Sequence, residues 1–190
     1  MTIRMNSFID KFKLIVFDLD DTLYDEYQFV CSGFHAVSEA ISLDYKFSNY
    51  YIYSELSRIF KDSGRGKVFN LFFKNNNIEI EKRYINKLIE IYRLKQKYNL
   101  SLYSGVSEFI KNIKEIGKKT AILTDTNWIV QKKKIEALGL DKMIDRIYFS
   151  DKEGTKKPDS ILYKKILKDF NIEPKYTLWV GDDPTCDFII

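Results

Sequence analysis

The sequence predicts an α/β fold, a Rossmann-like parallel sheet with a helical domain inserted near its start. A short apolar run, LIVF at 14–17, has the character of a strand buried on both faces. A long block with helical spacing of apolar residues follows it, from about 26 to 103. Beyond that block, strand-like and helix-like segments alternate, which indicates parallel strands joined by right-handed crossovers.

The later strands and helices each show their own pattern. Strands are predicted at 120–124 (TAILT), 146–150 (RIYFS) and 177–181 (TLWVG). Apolar residues recur at helical spacing around 109–116, 128–138 and 160–170, and a glycine follows each of the first two helices. Asn127 stands where a loop opens into a helix, so it is predicted to cap that helix.

The block between 26 and 103 interrupts the alternation once and is predicted to be a second domain. Its aromatic residues Phe69, Phe72 and Phe73 are expected to form part of its own core. The only histidine, His35, is predicted to have a surface or packing role. We therefore predict a core domain formed from 1–25 and 104–190, with 26–103 as a helical cap.

The charge pattern argues against several classes of partner. The chain has 190 residues, 31 of them basic and 27 acidic, and both signs are scattered, unlike a dedicated nucleic-acid binder. The run Lys132-Lys133-Lys134 is predicted to be a solvated helix face. No apolar stretch is long enough for a membrane span, and the first residues do not resemble a signal peptide. With two distant cysteines, a cytoplasmic protein with free thiols is expected.

Acidic, hydroxyl and lysine side chains follow the ends of the predicted strands. In open α/β sheets, ligands bind beyond the carboxyl ends of the strands. Those positions are occupied by Asp18, Asp20, Thr124, Asp125, Lys157, Asp182 and Asp187.

Carboxylates this close together repel each other unless a cation lies between them. Mg²⁺ takes oxygen ligands and leaves part of its shell to water and phosphate oxygens. A lysine and a hydroxyl beside that metal suit an anion with several oxygens. These groups together are the parts of a phosphoryl-transfer site.

Four motifs appear in a fixed order and resemble those of the haloacid dehalogenase-like hydrolase superfamily. DLDDT at 18–22 matches its DxDxT signature, and ILT, ending at Thr124, looks like its second motif. KKPD at 156–159 looks like the third motif, and GDDPTCD at 181–187 looks like the fourth. The resemblance covers the whole chain, although in the cap it concerns topology alone.

The resemblance implies a role for each matching residue. Asp18 would be the nucleophile that forms an aspartyl-phosphate. Asp20 would first protonate the leaving oxygen and then activate water. Thr124 and the backbone N–H of Asp125 would hold phosphate oxygens, and Lys157 would offset charge on Asp18 and the phosphoryl group.

The resemblance also implies a Mg²⁺ site. Its ligands would be Asp18, the backbone carbonyl of Asp20 and Asp182, with Asp187 as a supporting or water-mediated partner. Two basic residues in the cap, Arg65 and Lys67, alternate with glycines in GRGK at 64–67 and are candidates for contact with a substrate anion. A mobile turn is the other interpretation of that segment.

The expected function is Mg²⁺-dependent hydrolysis of a small phosphorylated metabolite, a sugar phosphate or a nucleotide. Asp20 favours a phosphatase or phosphomutase over a dehalogenase, because a leaving alkoxide needs a proton and a halide does not. Two alternatives stay open: a phosphomutase of the same superfamily, and a catalytically impaired binding or regulatory module.

Two departures from the superfamily pattern stand out. The second motif usually continues Thr-Asn, whereas this chain has Thr124-Asp125. Superfamily members usually continue beyond the fourth motif with a helix and a strand, whereas this chain stops at Ile190. In the superfamily's strand order, the first strand is central and 177–180 lies on its far side from the second. We therefore expect marginal stability, homodimerisation through this exposed strand, or a longer native chain.

Overall fold

Four parallel strands form the sheet of the computed structural model, which describes residues 7–187. They are β1 at Leu14–Phe17, β2 at Lys119–Thr124, β3 at Arg146–Phe149 and β4 at Thr177–Val180. The order is β3-β2-β1-β4, and every neighbouring pair is parallel. The predicted α/β class is confirmed, with the first strand between the second and the fourth. The carboxyl ends of all four strands therefore face the same edge.

Two compact units make up the chain. One comprises Met1–Glu26 and Leu100–Ile190, and the other comprises Tyr27–Asn99. Besides the short helix α1 at Ser7–Asp10, the first unit carries the sheet and three longer helices, which precede the second, third and fourth strands. The second unit is entirely helical in its regular elements.

The helical unit contains α2 at Tyr27–Asp44, α3 at Asn49–Ser63, α4 at Val68–Asn75 and α5 at Lys82–Glu90, which continues into a π-helical turn at Ile91–Lys95. Its core includes buried Phe69, Phe72 and Phe73, as predicted. Gly33 of α2 lies against a tyrosine ring: a Cβ at Gly33 would come within 2.3 Å of Tyr92 Cδ2. The exposed ring of His35 stacks on Tyr53, which confirms its packing role.

Helices α6 at Val106–Glu115, α7 at Trp128–Ala137 and α8 at Ser160–Phe170 complete the first unit. All four side chains of β1 are buried, which explains its unbroken apolar run. Leu162, Tyr163 and Ile166 of α8 pack on one face of the sheet. Among the described residues, no helix is both long and apolar enough to cross a membrane.

Asp145 ties β2 to the segment that leads into β3. Its Oδ2 accepts hydrogen bonds from the backbone N–H and the hydroxyl of Thr120, at 2.8 and 3.0 Å. Lys114 Nζ lies 3.0 Å from the other carboxylate oxygen. This contact fixes the amino-terminal side of β2, and thereby helps to set where Thr124 stands at the other end.

Candidate active site

The nucleophile candidate, Asp18, follows β1 directly and is held by the sheet. Its backbone N–H donates to the carbonyl oxygen of Val180 in β4, at 2.8 Å. The chain then turns at once, with the Leu23 N–H donating to the Leu19 carbonyl at 3.1 Å. Asp21 lies in this turn and accepts a hydrogen bond from the Glu26 N–H at 2.8 Å. Asp18 and Asp20 are thereby held close together at the end of β1.

Lys157 joins two carboxylates at this edge. Its Nζ contacts Asp18 Oδ1, and it lies 2.6 Å from Asp187 Oδ1. The three side chains are only 6–10% exposed. Asp187 is itself held by the Asp183 N–H, which donates to its Oδ2 at 3.0 Å. The structure thus brings together three of the residues that the motifs predicted.

Burial and charge act in opposite directions on this cluster. Burial raises the pKa of Asp18 to about 7, and Lys157 offsets only part of that increase. Burial opposes the charge of Lys157, but its two carboxylate partners outweigh that effect and hold its pKa above the ordinary value. Two carboxylates therefore share one lysine in a poorly solvated place, and further positive charge there would favour the ionised form of Asp18.

Asp125 holds the loop that carries Lys157. Its Oδ1 and Oδ2 accept the backbone N–H of Lys157, at 3.1 and 3.3 Å. The sequence suggested only a contact through the Asp125 N–H, so the role of its carboxylate was missed. The neighbouring Asn127 accepts hydrogen bonds from the N–H groups of Ile129 and Val130 at the start of α7, as predicted.

The second acid of the first motif, Asp20, is surrounded by hydrogen-bond donors. Tyr24 Oη donates to its Oδ1 at 2.6 Å, and Gln131 Nε2 donates to its Oδ2 at 2.7 Å. Lys134 Nζ lies 2.8 Å from Oδ1 and 3.3 Å from Glu26 Oε1. Burial raises the pKa of Asp20, but Lys134 and the other donors outweigh it and hold the pKa below its ordinary value.

The buried position of Lys134 corrects a prediction. The lysine run at 132–134 was predicted to be a solvated face, yet the Lys134 side chain is 3% exposed. Consecutive helix residues point about 100° apart, so a run of like residues cannot share one face. Lys132 is indeed exposed and lies 3.6 Å from Glu136. The sequence signal that was missed is the i,i+3 spacing of Gln131 and Lys134, which places them on one side of α7.

Thr124 stands at the buried end of β2 and is linked to Asp20. Gln131 Nε2 lies 2.6 Å from Thr124 Oγ1, so one amide group contacts both residues.

Asp182 is exposed, and Thr22 Oγ1 donates to its Oδ1 at 3.5 Å. Thr22 belongs to the first motif and Asp182 to the fourth, so this contact brings the two motifs together.

Arg65 and Lys67, the two remaining predicted residues, belong to the helical unit. They are exposed in the connection between α3 and α4. Gly64 and Lys67 both have a positive φ, of 71° and 61° respectively. The segment therefore turns sharply and leaves both basic side chains at the surface of that unit.

The oxygen donors at this edge fit a hard divalent cation. The predicted ligands are two carboxylates, Asp18 and Asp182, and the backbone carbonyl of Asp20, a set without nitrogen or sulfur. Within the described chain, no group of three or more His, Cys, Asp or Glu side chains could hold a metal. The predicted ligand set is not a group of that kind, because only Asp18 and Asp182 contribute side chains and the third ligand is a backbone carbonyl. The excess of carboxylate over lysine around Asp18 suits a cation.

Comparison with known proteins assigns the chain to a family. The model of the haloacid dehalogenase-like hydrolases matches residues 15–189, and the chain belongs to that family of enzymes.

Named relatives are phosphatases. The glyceraldehyde 3-phosphate phosphatase of Pyrococcus furiosus is 30% identical over 175 residues, which are 90% of this chain and 73% of that protein. The pyrimidine 5'-nucleotidase PynA of Streptococcus pneumoniae is 23% identical over 187 residues, 93% of this chain and 78% of that protein. A candidate β-phosphoglucomutase from Thermotoga maritima shares the fold, with a TM-score of 0.68 and 20% identity over 92% of this chain and 78% of that one.

Proposed function

We propose that this protein is a cytoplasmic, Mg²⁺-dependent phosphatase that hydrolyses a small phosphorylated metabolite through an aspartyl-phosphate on Asp18. The observation that carries the proposal is the buried contact of Lys157 with both Asp18 and Asp187, at the carboxyl end of β1 and close to Asp20. A carboxylate nucleophile needs a neighbouring cation to accept a phosphoryl group that is itself negatively charged.

In the first step, one oxygen of Asp18 attacks phosphorus and the bond from phosphorus to the leaving oxygen breaks. For this step Asp20 must first take up a proton, against the donors that hold its pKa low. It then gives that proton to the leaving oxygen, so that an alcohol leaves rather than an alkoxide. In the second step, Asp20 takes a proton from water, whose oxygen attacks phosphorus and releases Asp18. The products are the alcohol and inorganic phosphate.

Other side chains hold the phosphoryl group during these steps. In this proposal Thr124 and the N–H of Asp125 bind its oxygens, and Lys157 offsets its charge together with that of Asp18. Asp18, Asp182 and the carbonyl of Asp20 would hold Mg²⁺, with Asp187 in support. The metal, when bound, would withdraw charge from the phosphoryl oxygens and lower the repulsion that meets the incoming carboxylate.

The helical insert, 26–103, is proposed to select the substrate without taking part in the chemistry. Arg65 and Lys67 are its candidate contacts because both are exposed and basic. The names of the relatives favour a sugar phosphate of triose size over a nucleotide, since the triose phosphate phosphatase is the more similar of the two, at 30% against 23% identity.

A substrate panel tests this function against its alternatives. Purified protein is assayed for phosphate release from glyceraldehyde 3-phosphate, glucose 6-phosphate and uridine monophosphate, at several Mg²⁺ concentrations, with and without a sugar bisphosphate. A phosphatase releases phosphate without the bisphosphate. A phosphomutase needs the bisphosphate and yields an isomer in place of free phosphate. An impaired binding module shifts its melting temperature with a ligand but releases no phosphate.

A further inference from the structure

We propose that Lys134 is a positioning residue which, with Gln131, orients the carboxylate of Asp20 for its two proton transfers. The inference rests on the proposed function and adds residues of α7 to it. Neither residue belongs to the four motifs, and both lie outside the strand ends where the catalytic groups were expected.

The contacts define what Lys134 does. Its Nζ lies 2.8 Å from Asp20 Oδ1, while Gln131 Nε2 donates to Oδ2 at 2.7 Å. The carboxylate is thus held at both oxygens by two side chains one turn apart on the same helix. A carboxylate held at both oxygens cannot rotate about its terminal bond, so the oxygen that exchanges the proton keeps a defined direction.

Lys134 is itself fixed by a second acid. Glu26 Oε1 lies 3.3 Å from its Nζ, and the two side chains are only 3% and 11% exposed. A buried ion pair is a weak source of stability, because the loss of hydration offsets most of the attraction. Apolar residues in place of all the charged partners would often be at least as stable, whereas loss of the lysine alone would leave two buried acids unpaired. The presence of a charged trio here, rather than an apolar contact, is therefore better explained by what Lys134 does to Asp20.

Gln131 extends the same arrangement to the phosphate-binding side. Its Nε2 lies 2.6 Å from Thr124 Oγ1 and 2.7 Å from Asp20 Oδ2. One amide group therefore fixes the distance between the proton-transfer carboxylate and the hydroxyl proposed to bind the phosphoryl group. This separation decides whether the Asp20 proton reaches the leaving oxygen of a bound ester.

The leaving group supplies a readout that a purely structural role would not affect. A p-nitrophenolate leaves without a proton, whereas an alkoxide needs one from Asp20. If Lys134 orients Asp20, Lys134→Met lowers kcat/KM for an alkyl phosphate far more than for p-nitrophenyl phosphate. The expected losses are about 100-fold and less than about tenfold, respectively, as a displaced general acid implies.

The experiment compares Lys134→Met, Lys134→Gln and Lys134→Arg with the wild type on p-nitrophenyl phosphate and on the fastest of the three panel substrates. Lys134→Gln serves if the methionine variant does not fold, and Lys134→Arg should restore most of the alkyl phosphate activity. Lys132→Met is the matched control, since Lys132 is exposed on the same helix. Circular dichroism and melting temperature are recorded for every variant.

Equal losses on both esters, or an alkyl phosphate activity that is unchanged or raised, would overturn the inference. A raised activity would mean that Lys134 holds Asp20 away from the substrate. If the wild type hydrolyses none of these esters, the proposed function fails and the inference fails with it. If the wild type hydrolyses them and the Lys134 variants keep its leaving-group preference, only the inference fails.

Discussion

The backbone N–H of Lys157 donates to both carboxylate oxygens of Asp125, at 3.1 and 3.3 Å. The residue after Thr124 thereby holds the loop that delivers the lysine to Asp18. This contact also explains why the change from the usual Thr-Asn to Thr124-Asp125 is compatible with the site. An asparagine at this position keeps one oxygen acceptor for the same N–H, whereas an alanine keeps none.

Asp125→Ala should therefore lower phosphatase activity through the position of Lys157. We expect kcat/KM to fall by about 10–100-fold, since small displacements of catalytic groups have effects of that size. Asp125→Asn should stay within about threefold of the wild type. Steady-state kinetics on p-nitrophenyl phosphate measure both variants. Equal activities of the alanine and asparagine variants would show that the side-chain acceptor at 125 has no part in placing the lysine.

The proposed metal site predicts how activity depends on Mg²⁺. Exhaustive treatment with EDTA should abolish activity, and Mg²⁺ should restore it, because the oxygen ligands retain the ion only reversibly. Asp182→Asn removes one charge from the proposed ligand set, so this variant should need at least about tenfold more Mg²⁺ for half-maximal rate. Asp183→Asn is the control, because Asp183 accepts hydrogen bonds from Thr185 and is outside the predicted set. Activity that survives chelation would contradict the site.

The exposed basic residues of the helical insert should affect affinity rather than chemistry. Arg65→Ala and Lys67→Ala are each expected to raise KM for the best panel substrate by about 3–30-fold and to leave kcat unchanged. Values for p-nitrophenyl phosphate should hardly change, since its aryl group offers these residues nothing to recognise. Lys61→Ala, an exposed lysine of α3, is the control. Similar losses on both esters would place the two residues in the fold or the catalytic machinery instead.

Asp145 predicts a pH dependence of stability that is independent of the active site. Burial raises its pKa, but the Thr120 and Lys114 contacts outweigh burial and hold the pKa below the ordinary value. The folded state therefore binds fewer protons than the unfolded state as pH falls towards about 4. The stabilisation is present above the unfolded pKa and is lost as pH falls through the folded pKa.

Asp145→Asn should accordingly lower the free energy of unfolding by about 1–2 kcal/mol at pH 7 and by less at pH 3. Urea unfolding at the two pH values measures both differences. Asp141→Asn, an exposed aspartate in the turn before β3, is the matched control and should have little effect at either pH. A deficit of the Asp145 variant that is the same at both pH values would show that its charge contributes nothing.

The fold could be predicted largely because its signals are local. The apolar run of β1 requires burial on both faces. The glycines mark helix ends through their backbone conformation, and Asn127 marks a helix start through its hydrogen bonds. None of these signals depends on distant parts of the chain. The candidate site was predictable to the extent that parallel strands share a carboxyl edge, which brings Asp18, Thr124 and Lys157 towards one place whatever the intervening sequence.

The surroundings of Asp20 could not be predicted in the same way. Lys134 lies 114 positions from Asp20 in sequence. Only its contacts with Asp20 and Glu26 in the folded chain show that its charge is buried. A lysine in a basic run is usually solvated, so the local pattern pointed in the wrong direction. The Asp125 carboxylate was missed for a similar reason, because its partner is a backbone N–H on another loop.

The central claim is that Asp18 carries the phosphoryl group, and replacement of that one carboxylate tests it most directly. Asp18→Asn keeps the shape of the side chain and removes its charge and nucleophilicity. With saturating Mg²⁺ and p-nitrophenyl phosphate, and a circular dichroism spectrum that matches the wild type, the variant should show only background hydrolysis. Substantial turnover by folded Asp18→Asn protein, free of wild-type enzyme, would contradict the account.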